Sequence, residues 1–150
     1  MKVITIKQPF ATLIAEGIKE YEFRTWKTNY RGELLIHAGK GIDKQEIKKY
    51  KVFTYPQGCI IAKANLTDCI KVDDKFREVL KKKNATLYNK VITDKEKERY
   101  AFKLENVTKI EPIFLKGQLG LWNYKYNEEK IIAKRGKSNY ERNRSISRSI

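Results

Sequence analysis

GIKEYEFRTWKTNYRGELLIHAGK, Gly17–Lys40, places Lys19, Glu22, Arg24, Lys27 and Arg31 beside Tyr21, Trp26 and Tyr30 within one short span. In EYEFRTW, the residues Glu20, Glu22 and Arg24 alternate with Tyr21, Phe23 and Thr25, the period-two pattern of a half-buried strand with a charged polar face. TNYRG reads as a turn. ELLIHA is a short apolar run that suits a strand covered on both sides.

Toward the N-terminus, KVITIK predicts an opening strand with Val3 and Thr5 on one face and Ile4 and Ile6 on the other. Phe10, Leu13 and Ile14 follow Pro9 at helical spacing and Gly17 supplies a left-handed stop, so 9–16 reads as a short amphipathic helix. Toward the C-terminus, GKGID reads as a loop, with Asp43 and Glu46 spaced as a capping box for a helix through Tyr50. GCIIAKANLTDCIKV alternates again, with Ile60, Ala62, Ala64 and Leu66 in one register, into which Asp68 also falls. Asp73 or Asp74 caps a helix carrying Phe76, Val79 and Leu80, which KKKN ends. ATLYNKVITDKEKER predicts a loop with at most one helical turn. In YAFKLENVTKI the apolar register slips between Leu104 and Val107, which a bulge near Glu105 and Asn106 accommodates. EPIFLKGQLGLWNY reads as a Pro-broken edge segment with two glycines before Leu121 and Trp122. Five to six short strands with inserted short helices predict an α+β domain built as a small, mostly antiparallel β-barrel.

The chain of 150 residues has length enough for one domain with its own core. Lys and Arg number 33 against 18 Asp and Glu, a formal charge of +15, and a field of that sign draws phosphate polymers. Segment 131–150 holds six of those cations and Glu141, a net of 6 − 1 = +5, leaving 15 − 5 = +10 on 1–130. The expected division is therefore a basic folded domain over 1–130 and a basic, Arg/Ser-rich tail over 131–150, whose composition predicts a mobile segment. No run approaches the roughly 20 apolar residues that cross a bilayer, and MKVITIKQPF lacks a signal-peptide core, so the expectation is a soluble, cytoplasmic chain without a membrane partner. Cys59 and Cys69 would sit roughly 33 Å apart on one straight strand, beyond disulfide reach, and have no metal-ligand spacing. No metal site and no cofactor is expected.

A carboxylate flanked by two cations stays ionised and holds both cations in place, so Lys19, Glu22 and Arg24 describe a preset anion site or, alternatively, loosely paired charges on a solvated strand. Lys19 is one step out of parity with Glu22 and Arg24, so the three converge only if the turn at Gly17 re-aims Lys19. Arg24 offers a planar fork to phosphate or to a base edge. Tyr30, Trp26 and Trp122 offer stacking faces for bases, or core for the barrel. Arg31 adds charge beside Tyr30, Gln8 precedes a helix start where backbone donors gather, and Asp68 is either a buried acid or an acid displaced by a bulge. His37, the lone histidine, ends the buried strand and reads as structural.

These segments resemble the ASCH domains, small relatives of the PUA-like fold. The resemblance rests on IKQPFATLI, on Gly17-x-Lys19-x-x-Glu22-x-Arg24, on NYRGELLIHA, on LTDCI and on FKLENV…EPI…KGQLGLW, and it covers roughly 2–124. It implies a barrel with a cleft lined by the GxKxxExR residues, and RNA binding or RNA-linked chemistry. Some small members of the family are similar to amidohydrolases acting on acylated cytidine nucleosides, and another is described as a ribonuclease. Those hydrolases pair a lysine with a threonine three residues on; here Lys19 is followed by Glu22 at that spacing, which makes Lys19 and Glu22 the catalytic candidates if this chain is an enzyme. Three functions follow in order of preference. The first is a module binding RNA or a nucleotide through Gln8, Lys19, Glu22, Arg24, Tyr30, Arg31, Asp68 and Trp122. The second is a hydrolase using the same cleft, and the third an adaptor binding other proteins through its edge and tail.

Overall fold

The computed structural model describes residues 1–125; the boundary expected at 130 and the basic segment 131–150 lie outside the described residues. In chain order the elements are β1 (Lys2–Gln8), α1 (Phe10–Ala15), β2 (Tyr21–Arg24), β3 (Gly32–Ile42), α2 (Lys44–Lys49), β4 (Cys59–Lys71), α3 (Asp74–Asn84), α4 (Asn89–Thr93), β5 (Tyr100–Phe114) and β6 (Leu121–Asn123). The six strands of the described residues join one sheet in the order β2-β5-β4-β3-β1-β6. Among the described residues, only the β1–β3 ladder is parallel; the other four are antiparallel. The α+β class and the mostly antiparallel sheet agree with the sequence. The closed barrel does not: the ladder leaves β2 and β6 as its two ends, with no hydrogen-bonded pairing between them.

Alternation places the core as expected on β1, where Ile4 and Ile6 enter the main cluster with Leu34, Ile36, Leu66 and Phe102. Val3 turns to the opposite cluster with Leu35, Ile60, Ile110 and Trp122. Ile60 was expected to share a face with Ala62 and Leu66. A register shift between Ile60 and Ala62 sends it to the other side, because one extra residue in a strand exchanges its faces. The same device on β5 matches the sequence: the ladder shifts between Lys63 and Asn65 against Thr108 and Glu105, and Asn106 takes a φ of 52°.

One loop assignment fails. GKGI is not a loop but the end of β3, whose Ile42 still pairs with Gln8. Gly39 and Gly41 serve close approach here: a Cβ on Gly39 would stand 2.9 Å from Thr5 Cγ2, and one on Gly41 3.3 Å from Lys7 Cβ. KKKN ends α3 as read, forming its exposed last turn, where lysines complement the helix dipole. Asp73 caps that helix through Phe76 N at 2.7 Å. Within the segment read as a loop, α4 supplies its single helical turn. Leu87, Tyr88 and Val91 pack there with Tyr21, Phe76 and Leu80, so α3 and α4 form a lid over the β2 end of the sheet.

Cys59 and Cys69 both lie on β4 and are free thiols. No described helix is long and apolar enough to cross a membrane.

Candidate functional site

Lys19 precedes β2 in a turn that α1 builds. Gly17, at φ 77°, donates to Ile14 O at 3.0 Å, and the amides of Ile18 and Lys19 both return to Leu13 O. This left-handed step, which glycine takes without steric cost, re-aims Lys19 onto the face of Glu22. Lys19 Nζ stands 3.0 Å from Glu22 Oε1 and also donates to Tyr21 O. The other carboxylate oxygen, Oε2, accepts from Arg24 Nη2 at 3.0 Å, and the same nitrogen donates to Thr5 O on β1 at 2.8 Å. Glu22 thus ties two cations to one point.

The set is buried rather than solvated. Lys19 is 5 % exposed and Glu22 9 % exposed. Phe10 and Phe23 stand over the ammonium, with ring centroids 5.6 and 5.0 Å away, an arrangement that stabilises a cation by its ring quadrupoles. Burial pushes the Lys19 amine below its ordinary range, against the pull of Glu22. For Glu22, burial works to raise the carboxyl, but Lys19 and Arg24 together, by charge and hydrogen bonding, hold it below its ordinary value. The reading as loosely paired surface charges is excluded by this geometry.

These residues line a cavity of about 670 Å³, within the roughly 300–1,000 Å³ range of small-molecule sites. Its walls come from β1, β2, the end of β3, α2 and α4, with Phe10, Phe23, Trp26 and Tyr88 presenting aromatic surface. Seven basic side chains line it against three carboxylates, Glu22, Asp43 and Glu46. Arg99 is tied to Asp94 at 3.1 Å and Lys90 to Asp43 at 2.6 Å. Lys7, Lys40 and Lys97 are exposed and enter no ion pair with a described residue. The cavity therefore carries an excess of positive charge suited to an anion.

The other expected site residues go elsewhere. Gln8 is fully buried with its amide engaged internally: Nε2 donates to Thr12 Oγ1 and Pro56 O, and Oε1 accepts from Thr12 N. Trp122 is core, its Nε1 donating to Thr5 Oγ1 at 3.0 Å and its ring set edge-on to His37. His37 in turn contacts Leu115 O through Nε2 at 2.9 Å, the structural role expected of it. Asp68 is the displaced acid, not the buried one: the β4 register shifts between Leu66 and Asp68, and its side chain is 55 % exposed. Arg31 approaches Asp68 at 3.9 Å and bonds Thr28 O and Tyr30 O, while the Tyr30 hydroxyl bonds Glu33 O. None of Gln8, Tyr30, Arg31, Asp68 and Trp122 lines the cavity.

Conversely, Asp43, Glu46, Lys90 and Arg99 line it without having been singled out as site residues. The capping spacing did identify Asp43, whose Oδ1 accepts from Glu46 N at 3.1 Å. The reciprocal half of the box is absent, because Asp43 N donates to Gln8 O instead and the Glu46 carboxylate turns away. Among the described residues, no group of acidic, histidine or cysteine side chains forms a metal-ligand set.

A family model described as the ASCH domain matches residues 4–114. Activating signal cointegrator 1 of Mus musculus is 35% identical over 81 residues, which is 45% of this chain and 14% of that protein. Its Homo sapiens counterpart is 33% identical over 81 residues with the same coverage of 45% and 14%. The match thus spans only a small part of these curated relatives. Among solved structures, ASCH from Zymomonas mobilis superposes with a TM-score of 0.60 at 19% identity, over 89% of this chain and 93% of that one. A mutant form of the Zymomonas mobilis protein gives 0.60 at 22% identity, over 88% and 94%. At such identities the likeness is one of fold.

Proposed function

The chain belongs to the ASCH domain family, and from that membership and the cavity's chemistry we propose that it binds RNA or a nucleotide, with one nucleotide unit seated in the cavity. The observation carrying this reading is the Lys19–Glu22–Arg24 set, with Lys19 and Glu22 buried, within a cavity whose charged side chains are mostly cationic. Arg24 contacts Thr5 O and Glu22 through Nη2 and is partly exposed, so its other guanidinium donors are the natural phosphate fork. Trp26 and the other aromatic rings of the wall supply faces against which a base can stack. Tyr30 and Arg31 remain candidates for a continuing strand outside the cavity.

The test is a titration of short single-stranded RNA and of mononucleotides at several salt concentrations. Backbone contacts predict a linear fall of log affinity with log salt, at a slope of about −0.7 per neutralised phosphate. Removing residues 131–150 should shallow that slope without abolishing it. Affinity independent of salt would contradict the reading.

A second reading, hydrolysis in the same cavity, is favoured by one observation: Lys19 has the burial that a proton-moving lysine requires, and its amine is pushed down accordingly. In it Lys19 exchanges the proton, Glu22 holds Lys19 in place and Arg24 positions the substrate. A panel of acylated nucleosides and RNA oligomers, with Lys19→Ala as the control, distinguishes turnover from binding.

A further inference from the structure

The parallel ladder between β1 and β3 breaks at the rim of the cavity. Ile6 pairs with Ala38 and Gln8 with Ile42, so that Lys7 alone faces Gly39, Lys40 and Gly41. Such a bulge is uncommon in a parallel pair, and bulges gather beside functional sites, where they re-aim a side chain. Two glycines let this one lie against β1: a Cβ on Gly39 would meet Thr5 Cγ2 at 2.9 Å, and one on Gly41 would meet Lys7 Cβ at 3.3 Å. Lys7 and Lys40 thereby both line the cavity while remaining exposed to solvent.

Neither lysine has a counter-charge among the described residues. Each carboxylate of the lining already holds another cation: Glu22 holds Lys19 and Arg24, Asp43 holds Lys90 at 2.6 Å, and Glu46 holds Lys49 at 3.1 Å. On β4 and β5 the pattern is the opposite, with Lys63 paired to Glu33, Lys71 to Glu98 and Lys103 to Glu105. The two unpaired lysines also lie near the group that the nucleotide reading assigns to a phosphate. Arg24 Nη2 donates to Thr5 O at 2.8 Å, and Lys7 follows Thr5 by two residues, roughly 7 Å along the strand. One phosphate on the Arg24 fork leaves both ammonium groups unmatched.

Resting on the nucleotide reading above, we propose that Lys7 and Lys40 form a second phosphate subsite, beside the one on Arg24, so that the cavity takes a nucleotide carrying two phosphate groups. An ammonium is a compact point charge on a flexible stem, and it suits a phosphate without demanding one orientation. The planar Arg24 fork fixes the first phosphate, and the two lysines neutralise the next. That next phosphate is either the β-phosphate of a free nucleoside diphosphate or the following phosphate of a strand. Both present the same chemistry to the bulge.

The experiment is calorimetric titration of the full chain, at constant ionic strength and without divalent cations, with CMP, CDP and the 5′-phosphorylated cytidine dinucleotide. At least one of the two-phosphate ligands should bind about tenfold or more tighter than CMP, the worth of a hydrogen bond between charged groups. A gain with CDP identifies a free nucleotide, and a gain with the dinucleotide alone identifies a strand. The double variant Lys7→Ala/Lys40→Ala should bring the ratio of two-phosphate to CMP affinity close to one. Lys44→Ala/Lys48→Ala removes the same charge from exposed positions of α2 outside the cavity lining, and should retain the ratio. Thermal melts verify that both double variants are folded. Equal wild-type affinity for all three ligands overturns the subsite while leaving nucleotide binding intact. So does a ratio that survives in Lys7→Ala/Lys40→Ala, or one that falls equally in both double variants. Failure of all three ligands to bind overturns the nucleotide reading, and this inference with it.

Discussion

Lys19 Nζ and Glu22 Oε1 stand 3.0 Å apart with both side chains withdrawn from solvent. The pair is stable only as part of a set, because each buried ion is costly alone and Glu22 also holds Arg24.

Removing Glu22 should therefore cost more than removing Lys19. Glu22→Ala leaves two cations facing each other without a counter-charge, and should destabilise by about 3–5 kcal/mol in urea denaturation. Lys19→Ala leaves Glu22 still paired with Arg24 and should cost less. The double variant should fall short of the sum, since the second substitution removes a charge that the first has orphaned. Additive losses would mean that the two charges act independently.

The same pair sets an acid limb. The Glu22 carboxyl is held below its ordinary value of 4.5 in the folded chain, so below that value the unfolded chain binds more protons. The stabilisation is complete above 4.5 and is lost as pH falls through the lower, folded value. Thermal midpoints recorded from pH 7 downward should fall more steeply for wild type than for Glu22→Gln, which has no proton to gain. Parallel curves would remove Glu22 from the acid response.

Arg24→Lys tests the fork. Charge is kept but the second set of planar donors is lost, so nucleotide binding should weaken by about 1–3 kcal/mol while the fold is retained. Isothermal titration against CMP reads the change. Unaltered affinity would assign Arg24 to bridging Glu22 and Thr5 O only.

Gly117 tests the packing of His37 against Thr5, a residue that also lines the cavity. A Cβ there would stand 2.7 Å from His37 Cε1, 2.8 Å from Thr5 Oγ1 and 2.9 Å from His37 Nδ1. Gly117→Ala must displace His37 or Thr5, which hold Leu115 O and Trp122 Nε1. The overpacking should cost about 1–3 kcal/mol of stability, read by urea denaturation. Unchanged stability would show that this corner is loosely packed.

Much of this architecture is legible in local sequence. Period-two alternation locates β1, β2 and β4, and Gly17 with Lys19, Glu22 and Arg24 announces both the turn and the charges it gathers. What local pattern misses is set by long-range contact. Gly39 and Gly41 carry turn chemistry on paper but serve close packing against Thr5 and Lys7. Glu46 looks like a cap residue, and only the meeting of α2 with α4 turns its carboxylate into part of the cavity. Trp122 and Gln8 offer attractive groups whose partners, Thr5 and Thr12, are visible only once the chain is folded. Closure of a sheet likewise depends on its end strands, which no alternation reports.

The central claim, that one nucleotide unit occupies the cavity around Lys19, Glu22 and Arg24, is tested most directly by an amide chemical-shift titration of labelled protein with CMP. The account predicts perturbations on β2, the end of β3, α2 and α4, centred on Arg24 and Glu46, and their loss in Arg24→Ala. Shifts confined to Tyr30, Arg31 and Asp68, or an unperturbed β2 at saturating ligand, would contradict it.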